Sequence, residues 1–175
     1  MVDAAIGGGD IADSEGVSSS AVGASAEDGG ALMSEEELDV IADLLADMGE
    51  LPLALRVREH VVERVRARVG SEEGEGVGSA LVQIASVLET QGKLEEAMAM
   101  NEEALRITKK NLGPEHASVG DTLYNMADLY EEQGNAANAA STYEEAARIF
   151  TSALGPEHQY TKMARAQVER LAAHD

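Results

Sequence analysis

The sequence predicts an all-α protein, a solenoid of three helix-turn-helix repeats followed by a C-terminal capping helix. Three observations carry that prediction. The phrase Leu112-Gly113-Pro114-Glu115-His116 returns 42 residues later as Leu154-Gly155-Pro156-Glu157-His158. Apolar residues recur at helical spacing between capping and turn residues. The 175 residues are 44% hydrophobic but only 3% aromatic, with no Trp. Such a core is built from Ala, Leu, Val, Ile and Met, which favours packed helices over a β-sandwich.

Residues 1–30 are expected to be a disordered acidic tail. Gly7-Gly8-Gly9, Ser18-Ser19-Ser20 and Gly29-Gly30 punctuate it. It has too little apolar surface to offset a backbone ordering cost of about 1–2 kcal/mol per residue. The folded domain is predicted over 31–175, with the first repeat at about 34–70. Ser34 with Glu37 three residues on forms a capping box, and the acids Glu35, Glu36 and Glu37 suit a helix N-terminus. Leu38, Ile41, Ala42 and Leu45 then give a helical stripe, Gly49 ends it, and Pro52 opens a second helix that runs to Gly70.

The next two repeats, about 77–113 and 117–155, move in step. Leu81 corresponds to Leu123, Ala85 to Ala127, Gly92 to Gly134, and Ala97 to Ala139. A step of 43 residues back from the middle unit recovers Leu38, Ile41, Ala42, Leu45, Gly49 and Ala54, so one residue is inserted near Gly70–Gly78. One helix pair cannot bury its apolar faces alone, and stacked pairs share a continuous core. A seventh helix over 158–173, with Lys162, Arg165, Glu169 and Arg170 beside Met163, Val168 and Leu171, supplies the wet outer side of a cap.

Charge narrows the function. The formal net charge is −20, from 33 Asp and Glu against 13 Lys and Arg. Residues 1–55 hold 13 of the acids and no base. That balance argues against nucleic acid and anionic membrane surfaces as partners. Without a base before Arg56 no targeting leader is expected, and no run is apolar enough to span a bilayer, so a cytoplasmic location is the expectation. The absence of Cys removes disulfides, thiolate zinc sites and thiol nucleophiles.

These residues resemble the tetratricopeptide repeats. Leu123, Met126, Ala127, Tyr130, Gly134, Ala139, Tyr143 and Ala146 follow that pattern in the third unit. The second unit follows with Leu81, Ile84, Ala85, Leu88, Gly92, Ala97 and Ala104, although Asn101 replaces the helix-B aromatic. The first unit carries Arg58 and Val61 at its helix-B positions. The 42-residue period and the Leu-Gly-Pro-Glu-His link look like the extended subtype of kinesin light chains. The resemblance covers about 34–173 and implies a right-handed superhelix. A Gly/Ser-rich tail stands where a kinesin light chain has a long heptad coiled coil.

No catalytic constellation or cofactor site is predicted, and the chain is not expected to be an enzyme. His116 and His158 occupy equivalent links, and neither an H-E-x-x-H motif nor paired Cys/His spacing occurs. Gly74-Glu75-Gly76-Val77-Gly78 mimics a phosphate loop but follows a helix, lacks the Lys and contains an acid, so it is expected to be a flexible linker.

The resemblance instead implies a protein-binding module, with the first (A) helix of each repeat lining a concave groove. Carried over, its peptide-facing positions include Asp39 and Asp43 with Glu36 and Val40 in the first unit. In the second they are Val82, Gln83, Ser86 and Glu89 with Ser79. In the third they are Asp121, Tyr124, Asn125, Asp128 and Glu131. Asn125 falls where extended-type members carry an Asn that hydrogen-bonds a ligand backbone, and Tyr124 offers an aromatic face. None of these residues is basic, so the expected ligand is an extended segment rich in Lys or Arg. The alternatives are a structural subunit that forms homo-oligomers through its repeat faces, and a kinesin-light-chain-like cargo adaptor.

Overall fold

A computed structural model describes residues 33–70, 73–74 and 76–173; the tail expected over 1–30, Glu75 and His174 lie outside them. Among the described residues there are seven helices and no strand. They are α1 (Glu35–Asp47), α2 (Leu51–Val69), α3 (Val77–Thr90), α4 (Leu94–Leu112), α5 (Ala117–Glu132), α6 (Ala136–Leu154) and α7 (Gln159–Ala172). Each packs against the helix before and after it in the chain, which is the all-α repeat solenoid predicted from the sequence.

Local chemistry fixes where these helices start and stop. At α1 the Ser34 hydroxyl accepts from the Glu37 N–H at 3.1 Å, while the Glu37 carboxylate accepts from the Ser34 N–H at 2.7 Å. The repeated links use histidine for the same purpose. Nδ1 of His116 accepts from the Ser118 N–H at 3.2 Å and Nδ1 of His158 from the Tyr160 N–H at 3.3 Å, opening α5 and α7. Helices α1, α3 and α5 end alike, on Gly49, Gly92 and Gly134 with φ of 80°, 73° and 75°. The next N–H, of Glu50, Lys93 or Asn135, reaches back to the carbonyl of Leu45, Leu88 or Tyr130 at 2.8, 2.9 and 2.8 Å. A side chain at that left-handed position would be strained, which is why glycine recurs there.

Packing follows the same period. Ala42 and Ala54, Ala85 and Ala97, and Ala127 and Ala139 are at most 1% exposed, so the two helices of each unit approach over small residues. Larger apolar side chains fill the layers between units, as Ile84, Leu88, Met98, Met126 and Leu129 do in one cluster. At the outer face of α1 the pattern is open. Val40, Leu44 and Met48 are 58%, 56% and 75% exposed, whereas Val87 and Leu129, which occupy the place of Leu44 in the next units, are buried.

One expectation is corrected. The run expected to be a flexible linker ends inside α3, where Val77 and Gly78 are buried. A Cβ on Gly78 would lie 2.6 Å from Oγ1 of Thr108, so this glycine serves close helix approach rather than flexibility. A Cβ on Gly120, its counterpart in the next unit, would likewise lie 2.8 Å from the Phe150 ring.

Ala127 is fully buried among Ala139 and Tyr143. Ala127→Leu is therefore expected to overpack the crossing at a cost of about 1–3 kcal/mol, lowering the melting temperature by several degrees. An unchanged thermal unfolding curve would refute that placement.

Candidate functional site

The candidate residues are distributed over three helices: Asp39 and Asp43 on α1, Val82, Gln83, Ser86 and Glu89 on α3, and Asp121, Tyr124, Asn125, Asp128 and Glu131 on α5. Contacts from helix to helix join them into one surface. The Gln83 side chain stands beside Asp39 and favours its charged form. Val82 and Asp121 line a common hollow of about 230 Å³. Glu89 meets Asp128, Glu131 and Glu132 around a second hollow of about 470 Å³. Asp121, Tyr124 and Asn125 border a third of about 240 Å³, closed by Phe150, Tyr160 and Met163. Ser86 and Asp43 stay exposed.

Behind this surface, one helix-B position carries three different chemistries. Arg58 of α2, only 6% exposed, contacts Asp39 at 3.5 Å and hydrogen-bonds to Asp43. Tyr143 of α6, in the corresponding place, donates its hydroxyl to Asp128 and stands 3.3 Å from Glu131. Its ring also meets Tyr124 edge-on at 5.1 Å. Asn101 of α4 is too short for that reach. It is 1% exposed, and its Oδ1 has no hydrogen-bond partner. The first-unit acids thus face an internal cation, while those of the third unit are tied to a neutral phenol.

The remaining acids crowd one another. Loss of hydration raises the Glu89 carboxyl above the ordinary carboxylate range, and the charges of Glu132 and Asp128 push it further. Asp128 is raised by burial against the opposing hydrogen bond from Tyr143. Asp121 is raised by burial, with nearby His116 pulling the other way. At Asp39, burial outweighs the Arg58 charge, and Asp43 and Glu35 add repulsion. Acids away from this face behave oppositely. Glu73 is held low by Lys110 and Arg106, Glu103 by Arg106, Glu115 by Arg148, and Glu157 by Lys162.

Sequence reasoning treated α7 as a cap and missed its part in this surface. Gln167 donates to the Tyr124 hydroxyl at 3.2 Å, and Arg170 bonds Glu131 at 2.5 Å. The signal was present. The same link precedes α5 and α7, and the 42-residue step carries Asp121, Asn125 and Asp128 onto Met163, Gln167 and Arg170. Arg58 was noted only as a departure from the aromatic pattern, and its reach to two candidate acids was not foreseen. Among the described residues no group of His, Asp or Glu side chains is placed to hold a metal ion, and no helix is long and apolar enough to cross a membrane.

A family model described as "Tetratricopeptide repeat" matches residues 37–110 and 76–152. No match was found among curated proteins. Among solved structures, the chain is similar to a Podospora anserina protein described as a kinesin light chain with nearly identical TPR-like repeats. Identity there is 21% over 80% of this chain and 68% of that one, with a TM-score of 0.67. It is also similar to BtubC (BKLC) of P. vanneervenii, at 18% identity, 80% and 63% coverage and a TM-score of 0.62. A third is the Yersinia enterocolitica type III secretion chaperone SycD in complex with a peptide of the translocator YopD. That match has 12% identity, 83% and 98% coverage and a TM-score of 0.59.

Raised carboxyl groups bind protons more tightly in the folded chain than in the unfolded one. Their effect is to remove stability as pH rises from the ordinary carboxylate range through their folded values. Acidification from neutrality toward the ordinary carboxylate range is therefore expected to raise the melting temperature. Below the ordinary carboxylate range the ion pairs of Glu73, Glu103, Glu115 and Glu157 are lost and stability falls again. A combined Glu89→Gln, Asp121→Asn, Asp128→Asn variant should flatten the first limb only. A wild-type melting temperature that falls steadily from pH 7 downward would contradict the assignment.

Proposed function

The chain belongs to the tetratricopeptide repeat family, and from that premise we propose that it is a protein–protein interaction adaptor whose A-helix groove takes an extended Lys- or Arg-rich segment. The observation that carries the reading is the hollow lined by Glu89, Asp128, Glu131 and Glu132, in which Arg170 answers Glu131. Glu89 and Asp128, held above their ordinary range by lost hydration and neighbouring negative charge, are stabilised by an arriving cation, so a basic ligand relieves a cost already present in the free protein. Such charges speed encounter and set the preferred sign more than they add affinity. The SycD fold, which is held in complex with a translocator peptide, is compatible with the same use of the stack. A scaffold role without catalysis accords with the family.

Titration calorimetry of the full chain with a Lys/Arg-rich peptide at low salt tests this reading. Binding is expected to weaken steeply as salt rises and to be lost in the Glu89→Gln, Asp121→Asn, Asp128→Asn variant. Because residues 1–32 are also acidic, binding that survives the triple substitution would place the cation elsewhere and overturn the groove assignment.

A second reading, self-association through the α1 end of the stack, is favoured by the exposed Val40, Leu44 and Met48. Light scattering at micromolar concentration is then expected to give a dimer that Leu44→Glu converts to monomer. A wild-type monomer at that concentration removes the reading.

A further inference from the structure

Aromatic residues are scarce in this chain, four Tyr and one Phe with no Trp, yet three of them line one hollow. Tyr124, Phe150 and Tyr160 wall the space of about 240 Å³ that Asp121, Asn125 and Met163 complete. Phe150 is buried and forms its floor, whereas Tyr160 and Met163 are 46% and 42% exposed at its mouth. The volume suits the head of a side chain or a small ion rather than a drug-sized molecule.

The repeat does not demand these rings. A hollow of about 230 Å³ stands one 42-residue step earlier, where Val82, Thr108 and Ser118 hold the places of Tyr124, Phe150 and Tyr160. An aliphatic residue and two small hydroxyl residues thus serve the same architecture. The later hollow has three rings instead, and it sets the Asp121 carboxylate where the earlier one has the Ser79 hydroxyl.

The rings are braced from both sides. Phe150 and Tyr160 lie 5.7 Å apart, and His158 stands 5.3 Å from Tyr160. Tyr143 meets Tyr124 edge-on at 5.1 Å, and the Tyr124 hydroxyl accepts from Gln167 at 3.2 Å. Walls held in this way need little ordering when a ligand arrives.

Aromatic rings and a carboxylate together attract a cation, and no Lys or Arg lines the hollow among the described residues. The lining also selects the kind of cation. A bare ammonium or guanidinium brings three or more N–H donors. Most of this surface is ring and thioether, which cannot accept them, so burying such a group here is costly. An alkylated ammonium carries the same charge with few or no N–H donors and an outer layer of methyl groups, the form of cation that aromatic walls recognise.

We propose that this hollow binds an alkylated ammonium group, carried either on a trimethylated lysine of a partner protein or on a small quaternary ammonium compound. The inference goes beyond the groove reading, which asks only for positive charge from its ligand, although Asp121 belongs to both.

The test uses the full chain and three labelled, otherwise uncharged peptides, followed by fluorescence anisotropy at physiological salt. They differ in one side chain: trimethyllysine, lysine, or a neutral isostere with carbon in place of the trimethylated nitrogen. The trimethyllysine peptide is expected to bind about tenfold more tightly than either of the others. Equal binding of the isostere would mean apolar burial alone, equal binding of lysine would mean charge alone, and either result overturns the inference. Tyr160→Ser, which gives position 160 the residue found at Ser118 in the preceding link, should remove the preference without changing the melting temperature, while Tyr160→Phe should keep it. A preference that survives Tyr160→Ser places the ligand elsewhere. Choline as competitor separates the two sources. Affinity equal to that of the trimethyllysine peptide assigns the site to a small ligand, and affinity at least tenfold weaker assigns it to a methylated lysine. If neither choline nor the trimethyllysine peptide binds, the inference falls. Lys/Arg-rich peptides are expected to bind the Tyr160→Ser variant as they bind wild type, so that failure leaves the groove reading standing.

Discussion

Within each unit the two helices cross over small residues, Ala42 with Ala54, Ala85 with Ala97 and Ala127 with Ala139, all essentially without solvent exposure. That close crossing is the constraint on which the rest depends. It lets a chain with almost no aromatic residues build a dry core, since backbones that approach closely leave little volume for side chains to fill. One turn further along helix B lies the position of Arg58, Asn101 or Tyr143. Held near the A helix by the crossing, a long side chain there emerges beside the candidate acids, and a short one stops beneath them.

Charge is sorted by the same geometry. Basic residues on α4 and α6 are committed to acids in the preceding links, Arg106 and Lys110 to Glu73 and Arg148 to Glu115. Those partners hold their carboxyls low. Glu89, Asp121 and Asp128, on the opposite surface, are displaced the other way by burial. A net charge of −20 describes neither surface. The distribution matters because solvent screens exposed pairs efficiently, while half-buried carboxylates of one sign keep most of their repulsion.

Much of the fold was legible because each repeat states the same local rules. Gly49, Gly92 and Gly134 sit in left-handed turns that exclude other residues, and the paired alanines recur at a spacing only a helix hairpin explains. Gly78 was not legible. A glycine beside two others in a linker looks the same in sequence as one pressed against Thr108, and only the packed neighbour tells them apart. For the candidate site, the family resemblance put the residues of α1, α3 and α5 on one surface, but it said nothing of what lay behind them. The reach of Arg58 to Asp43 and of Tyr143 to Asp128 depends on side-chain length across a helix crossing. The contribution of α7 was hidden for a different reason, since a helix valued as the end of a stack was not counted as part of its face.

Gly78 and Gly120 have a consequence beyond their own packing. Each lets a residue of the following helix rest directly on the A-helix backbone, Thr108 in one unit and Phe150 in the next. That residue sets how closely the two helices of a unit approach, and it does so beside a hollow that Asp121 also borders. Changes at 108 and 150 can therefore alter the separation of the paired helices and the shape of the adjoining hollow together, with the A helix itself unaltered.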